Sequence, residues 1–162
     1  MTQEEGDRRP LVGLPGERQP VPGIPIVVRA RAEETGGTFE VYELGIPDAR
    51  QGLGAGPPPH THRHHEEVFY ILDGDVEFVL GAEHVAAPAG TLVVVPRGTR
   101  HHFRGTPGSR LLVVAIPGGL AGFFEELGAG HAAGRADADI RAALAGKYDS
   151  HPEVSSEERL ST

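Results

Sequence analysis

Two histidine-rich stretches, HTHRHHEE at residues 60–67 and RHHF at residues 100–103, hold six of the chain's nine histidines. Imidazole is the commonest metal ligand, and clustered histidines beside a carboxylate point to a metal site. His60, His62, Glu67 and His101 form the best four-ligand set in the two stretches. That set restricts the fold severely. Residues far apart along the chain must be brought to one point by rigid elements, and their spacing indicates strands.

His60 and His62 are two positions apart, and in a strand such residues point to the same face. Glu67 has the wrong parity for one unbroken strand, so a turn is expected over the polar residues 63–66. In the strand that follows, Glu67, Phe69 and Ile71 alternate with Val68, Tyr70 and Leu72. Both sets are apolar apart from Glu67, which predicts that both faces are covered. A carboxylate on a buried face needs a partner, and a metal ion supplies one. His101 and Phe103 repeat the arrangement after Pro96 and Gly98 have turned the chain.

The order of these residues resembles the two sequence motifs of the cupin superfamily. Gly54, five residues, His60, one, His62, four, Glu67, six, Gly74 matches the first motif. Gly90, five residues, Pro96, one, Gly98, two, His101 matches the second, and fifteen residues separate Gly74 from Gly90, as in compact microbial cupins. One position departs from the pattern: Gly105 stands where the second motif usually ends in Asn. The segment PGGLAGFFEELG, after the last expected strand, resembles the same stretch of quercetin dioxygenase-like single-domain cupins. The resemblance implies an all-β fold, the cupin double-stranded β-helix or jelly-roll barrel, with a short C-terminal helical extension.

The resemblance also implies chemistry. Three imidazoles and a carboxylate accept one divalent transition metal ion. Fe is the leading expectation, and Mn, Co, Ni or Zn are compatible with the same donors. In a quercetinase-like reaction an enol or phenol oxygen binds the metal, Glu67 takes its proton, and dioxygen attacks the activated substrate. Glu67 is then both ligand and catalytic base. Phe69, Ile71 and Phe103 are expected to line an apolar substrate pocket. Three readings stay open: a dioxygenase acting on a small enolisable or aromatic oxygenated compound; a non-redox isomerase, cyclase or decarboxylase; and a small-molecule-binding cupin without turnover. Cupins host many chemistries, so the fold does not choose among them.

Composition excludes several classes. No cysteine is present, which removes disulfides and thiolate metal sites. A formal charge of −8 argues against nucleic acid as a partner. No apolar run approaches the ~20 residues of a membrane span, and MTQEEGDRRP lacks the apolar core of a signal peptide, so a cytoplasmic location is expected. The expected partners are a small-molecule substrate and a second copy of the chain, a homodimer that covers the Val68, Tyr70, Leu72 face or an edge strand.

Four regions are expected. Residues 1–21 form a flexible N-terminal arm and residues 22–118 the barrel. Strands from Ile26 to Arg31 and Thr38 to Leu44 flank a hairpin turn at Glu34-Thr35-Gly36-Gly37, and further strands follow near 66–72, 75–80, 83–87, 91–95, 100–105 and 110–116. Residues 119–148 form C-terminal helices that cover the barrel. Leu120, Phe123, Phe124 and Leu127 recur at helical spacing with a stop at Gly128. Ile140, Leu144 and Tyr148 mark a second helix, capped by Asp137 or Asp139. Residues 149–162 are a disordered tail. Outside the ligand set, His64 and His65 are expected to face solvent or to sit in the turn, His102 to lie near the site or at the surface, and His84 to be an exposed strand residue. His131 and His151 are assigned no chemistry.

Overall fold

A computed structural model describes residues 9–47 and 56–153. Gly54, residues 1–8 and the tail beyond Glu153 lie outside the described residues. Ten strands and three helices follow in the order β1 (Ile26–Ala30), α1 (Ala32–Thr35), β2 (Glu40–Gly45), β3 (His60–Thr61), β4 (Glu66–Asp73), β5 (Asp75–Leu80), β6 (Glu83–Pro88), β7 (Leu92–Val95), β8 (His101–Gly105), β9 (Arg110–Ile116), α2 (Ala121–Ala132), α3 (Asp137–Tyr148) and β10 (His151–Pro152). They form two five-stranded sheets, β1-β2-β9-β4-β7 and β10-β3-β8-β5-β6, with every pairing antiparallel. The sheets face each other as the two walls of a jelly roll.

Alternation along the strands builds the core. On β4, Phe69 and Ile71 point inward beside Glu67; on β9, Leu111, Val113 and Ala115 do the same; on β8, Phe103 follows His101. Phe69, Phe78 and Phe103 pack with ring centroids 5.2–5.7 Å apart. This aromatic floor sits below the histidines, with Phe69 6.3 Å from the His101 ring. Within one chain the outer face of β4 is only partly covered, with Val68 and Leu72 half-buried. Tyr70 is 42% exposed, and Leu92 and Val94 on neighbouring β7 are 60% and 53% exposed. Near-continuous apolar sequence does not distinguish a strand buried on both faces from one with an exposed apolar face.

Gly105, where the motif usually has Asn, is held by close packing. A Cβ there would lie 2.7 Å from Ile46 Cγ1, so any side chain would displace the residue that closes the end of the core.

β1 and β2 pair as an antiparallel hairpin, as expected, but a short helix precedes the glycine turn that joins them. Ala32–Thr35 form one helical turn, with Glu34 accepting from the Arg31 N–H at 2.8 Å, and left-handed Gly36 (φ 65°) ends it. Local carboxylate-to-backbone bonding adds this helical turn ahead of Gly36-Gly37, both of which adopt positive φ as the turn requires. α2 also runs through Gly128 rather than stopping there. Gly128 is a packing site: a Cβ would come within 2.2 Å of the Pro22 carbonyl oxygen. The helix needs a residue without a side chain where the N-terminal segment crosses it. Neither Asp137 nor Asp139 caps α3. The N-cap is Ala136, and Asp137 instead binds His131 and Arg141 at 2.9 and 2.7 Å.

The two helices pack through Phe123, Leu127, Ile140 and Leu144. Buried Glu40 on β2 fixes the start of α2, accepting the N–H groups of Leu120 and Ala121 at 2.7 and 3.0 Å as well as the Tyr42 hydroxyl. Four N–H groups at a helix start lack intrahelical acceptors, and a carboxylate there also complements the helix dipole. Phe124 then packs edge-on against Tyr42, with centroids 4.9 Å apart. The chain does not end in a free tail at Tyr148. Asp149 and Ser150 are buried, and β10 pairs with β3. No helix among the described residues is long and apolar enough to cross a membrane.

Candidate metal centre

The three imidazoles come from the second sheet and its flank, and the carboxylate from the first. His60 on β3 lies directly opposite His101 on β8. His62 follows the end of β3, and its carbonyl accepts the Gly98 N–H at 2.7 Å. Glu67 projects inward from β4. One ligand atom from each of the four residues falls within 4.8 Å of all the others. His62, Glu67 and His101 are buried, and His60 is half-buried.

Each imidazole has one nitrogen committed elsewhere. His60 Nδ1 donates to the Pro58 carbonyl at 2.9 Å, His62 Nδ1 to that of Asp149 at 2.7 Å, and His101 Nδ1 to that of Thr99 at 2.9 Å. A carbonyl can only accept, so each Nδ1 carries the proton and each neutral ring presents a bare Nε2. Two of these Nε2 atoms stand 3.0 Å (His101) and 3.3 Å (His62) from the same Glu67 oxygen. Lone pairs facing a buried carboxylate repel unless a positive charge lies between them. Protons on the rings supply it in part, and a metal cation supplies it more completely. The donor set therefore fits a divalent transition metal ion on its own chemistry, with the second-sphere bonding usual for histidine ligands.

The titration of the cluster has the same origin. Burial disfavours the Glu67 carboxylate, but His101 and His62 outweigh it and hold the group well below the usual carboxylate range. Burial likewise disfavours the His62 imidazolium, but Glu67 and then the Asp149 carbonyl prevail and raise its pKa. His60 has no such compensation; burial, reinforced by nearby His101, pushes it down to about 3.

The cluster opens onto a cavity of about 550 Å³, within the range of small-molecule sites. Phe69 and Phe103 line it as expected, but Ile71 does not. Ile71 is fully buried two residues deeper on β4, in the core below Phe69. The opposite wall comes from α2, through Phe123, Phe124 and Leu127. Their helical spacing marks the helix in the sequence, and their place beside His60, His62 and Glu67 in one cavity fits helices that cover the barrel mouth.

Several other histidines also lie away from their expected places. His65 lies in the expected turn but faces inward: its side chain is 12% exposed, and Nδ1 meets Asp149 Oδ2 at 2.9 Å. His131 sits on α2 and lines the cavity rather than lying in a tail. His151 is in β10 and binds Asp149 Oδ1 at 3.1 Å. His64 and His84 are exposed, and His102 is half-buried. Asp149 and cavity-lining Ser150 were missed altogether, because they fall in a segment whose composition reads as a polar tail.

Comparison with known proteins points to the same fold. The Cupin domain family matches residues 51–117. Quercetin 2,3-dioxygenase of Bacillus subtilis (strain 168) is 29% identical over 102 residues, covering 62% of this chain and 29% of that protein. The chain thus spans less than a third of the length of that relative. Among solved structures, a predicted oxalate decarboxylase from Thermotoga maritima aligns with a TM-score of 0.52 and 21% identity, over 66% of this chain and 99% of the other. The polyketide cyclase RemF from Streptomyces resistomycificus aligns with a TM-score of 0.50 and 24% identity, over 67% and 80%. These two likenesses concern the fold.

Proposed function

The chain is a cupin superfamily protein, and from that premise we propose that it is a metal-dependent dioxygenase of a small enolisable or aromatic oxygenated compound. His60, His62, Glu67 and His101 hold one divalent transition metal ion, with Fe the leading candidate and Mn, Co, Ni or Zn compatible. The observation that carries the reading is the set of three imidazoles with Nδ1 tied to carbonyls, converging with Glu67 so that the Nε2 atoms of His62 and His101 meet one of its oxygens. The bound ion supplies Lewis acidity that favours ionisation of a substrate hydroxyl.

The chain's own residues do the rest. Phe69 and Phe103 on one side and Phe123 and Phe124 on the other offer an apolar slot suited to a flat ring. Tyr42 also lines the cavity, but its hydroxyl is committed to Glu40, so it contributes its ring face. Glu67 is the base that accepts the substrate hydroxyl proton. Its buried position on β4 keeps that proton out of bulk water. The helices exclude water from the cavity, with α2 anchored at Glu40.

A non-redox reading, in which the same site serves an isomerase, cyclase or decarboxylase, is favoured by one observation: nothing in a three-nitrogen, one-carboxylate donor set demands a redox metal. Oxygen uptake separates the two. Protein loaded in turn with Fe(II), Mn(II), Ni(II), Co(II) and Zn(II) is to be offered flavonols and 1,3-dicarbonyl compounds under air. The dioxygenase reading expects oxygen consumed in step with substrate loss. Substrate conversion without oxygen uptake selects the non-redox reading, and binding without conversion selects a binding module.

A further inference from the structure

We infer that Asp149, the residue that ends α3, positions the metal centre by holding both the ring of His62 and the loop that follows it. The inference rests on His62 being a metal ligand.

The three histidines are not held alike. His60 and His101 donate Nδ1–H to carbonyls two positions away, at Pro58 and Thr99, so their own local backbone orients them. His62 donates to a residue 87 positions later. Its orientation therefore depends on the C-terminal segment returning to the barrel.

Asp149 makes that return specific. It is the one non-glycine among the described residues with positive φ, at 55°. That left-handed turn costs most L-residues free energy, and Asp tolerates it better than most. The turn ends α3 and directs the Asp149 carbonyl to His62 Nδ1 at 2.7 Å. The side chain reaches the same loop. Oδ1 accepts the Arg63 N–H at 3.0 Å, and Oδ2 accepts the His64 N–H at 2.6 Å. His65 Nδ1 and His151 Nε2 complete the set at 2.9 and 3.1 Å. One buried residue thus grips the ring of a ligand and the next two backbone amides. Beyond it, His151 and Pro152 pair with Thr61 and His60, which locks the segment along the strand that carries the first ligand.

A helix C-cap alone would not call for this residue. Glycine serves the left-handed turn better, and a carboxylate at a helix C-terminus opposes the helix dipole. The carboxylate is accounted for by the loop it binds. Residues 63–65 connect His62 to β4, so the same grip sets the distance between His62 and Glu67.

The test uses the full chain, with Co(II) as probe. Asp149→Gly keeps the turn and the carbonyl but removes the carboxylate. Asp149→Asn keeps one acceptor oxygen and the shape. The Asp149 carbonyl that holds His62 survives in both variants, so the loss expected in Asp149→Gly comes from freeing the 63–64 loop and falls at the low end of the range of about 10–100-fold for weakened outer-sphere support, with partial rescue in Asp149→Asn and an altered visible ligand-field spectrum at saturating Co(II). A role in general stability alone would lower the melting temperature of the metal-free protein and leave the saturated spectrum unchanged, which overturns the inference. So does an Asp149→Gly protein with wild-type Co(II) affinity. If Asp149→Gly does not fold, the wild-type protein decides. Long-range proton–nitrogen NMR of the zinc-loaded form is expected to show His62 protonated at Nδ1, with slow exchange. His62 coordinated through Nδ1, or with an Nδ1 proton exchanging as fast as that of exposed His84, overturns the inference. Wild-type protein that takes up neither ion defeats the ligand assignment itself, a result distinct from these.

Discussion

Glu67 and His101 belong to opposite sheets, and their facing atoms stand 3.0 Å apart. At this end of the barrel the two walls meet through a polar cluster, whereas deeper in they meet through Phe69, Phe78 and Phe103. Whatever positive charge occupies the cluster therefore joins the sheets, and the stability of the barrel is coupled to the state of the site.

Metal loading should raise thermal stability. An ion that binds only the folded chain stabilises it by about 2.7 kcal/mol at a concentration a hundred times its Kd. For a domain of this size that corresponds to a rise in Tm of roughly 5–11 °C. Differential scanning fluorimetry with Fe(II), Mn(II), Co(II), Ni(II) and Zn(II) measures it, and chelation should reverse it. No shift with any of these ions would count against the four-ligand site.

The pH dependence should include His62 and not His60. His60 is already neutral above about pH 3, so it offers no proton to displace. The raised pKa of His62 means that its proton must leave before the ion binds. Affinity is therefore expected to fall as pH drops below that raised value, which lies above the ordinary 6.5. A pKa raised on folding stabilises the metal-free protein below about pH 6.5, and that contribution disappears as pH rises through the folded value. Metal-dependent stabilisation moves the opposite way. Melting curves with and without Zn(II) from pH 5 to 9 should diverge with rising pH, whereas parallel curves would contradict the assignment.

Glu67→Gln separates holding the ion from moving a proton. The amide keeps a coordinating oxygen but loses the charge and the basic site. If Glu67 is the base, turnover should fall roughly 10²–10⁴-fold at full metal occupancy. His62→Ala should instead lose metal first, and activity as a consequence. Metal content must be measured with rate, and a fully loaded Glu67→Gln protein with wild-type turnover would remove Glu67 from proton transfer.

Glu40→Ala tests the anchoring of α2. The substitution strands the Leu120 and Ala121 N–H groups and the Tyr42 hydroxyl in a buried place. Hydrogen bonds to a charged group are worth about 1.5–3 kcal/mol each, not additively, so a loss of about 3 kcal/mol is expected in denaturant unfolding. The Glu40 carboxyl is lowered despite burial, because Tyr42 and backbone N–H groups outweigh the burial penalty. Its contribution is thus present above the unfolded value near 4.3 and lost as pH falls through the lower folded one. Wild-type stability in Glu40→Ala would refute the anchor.

Tyr70, Leu92 and Val94 form an exposed apolar patch on adjacent strands, and a homodimer through this sheet face is proposed. Leu92→Lys or Val94→Lys should yield monomers by light scattering at micromolar concentration, with metal binding unchanged. A monomeric wild-type protein would sink the dimer without touching the site.

The sequence by itself determined which side chains share a face. Strand parity is a local property, so His101 with Phe103, and Glu67 with Phe69 and Ile71, could be grouped from their spacing. The motif spacing carried the jelly-roll fold and the candidate ligand set. Depth and long-range return were decided only by tertiary structure. Ile71 shares the inward face of Phe69 but lies below the cavity, because distance from the barrel mouth is set by how the sheets close. Gly128 reads as a helix stop until Pro22 is seen against it. Asp149 reads as the start of a polar tail until its carboxylate meets the amides of Arg63 and His64. Local composition reports solvation preference along the chain, whereas contacts 85 and 86 positions distant depend on where α3 ends in space.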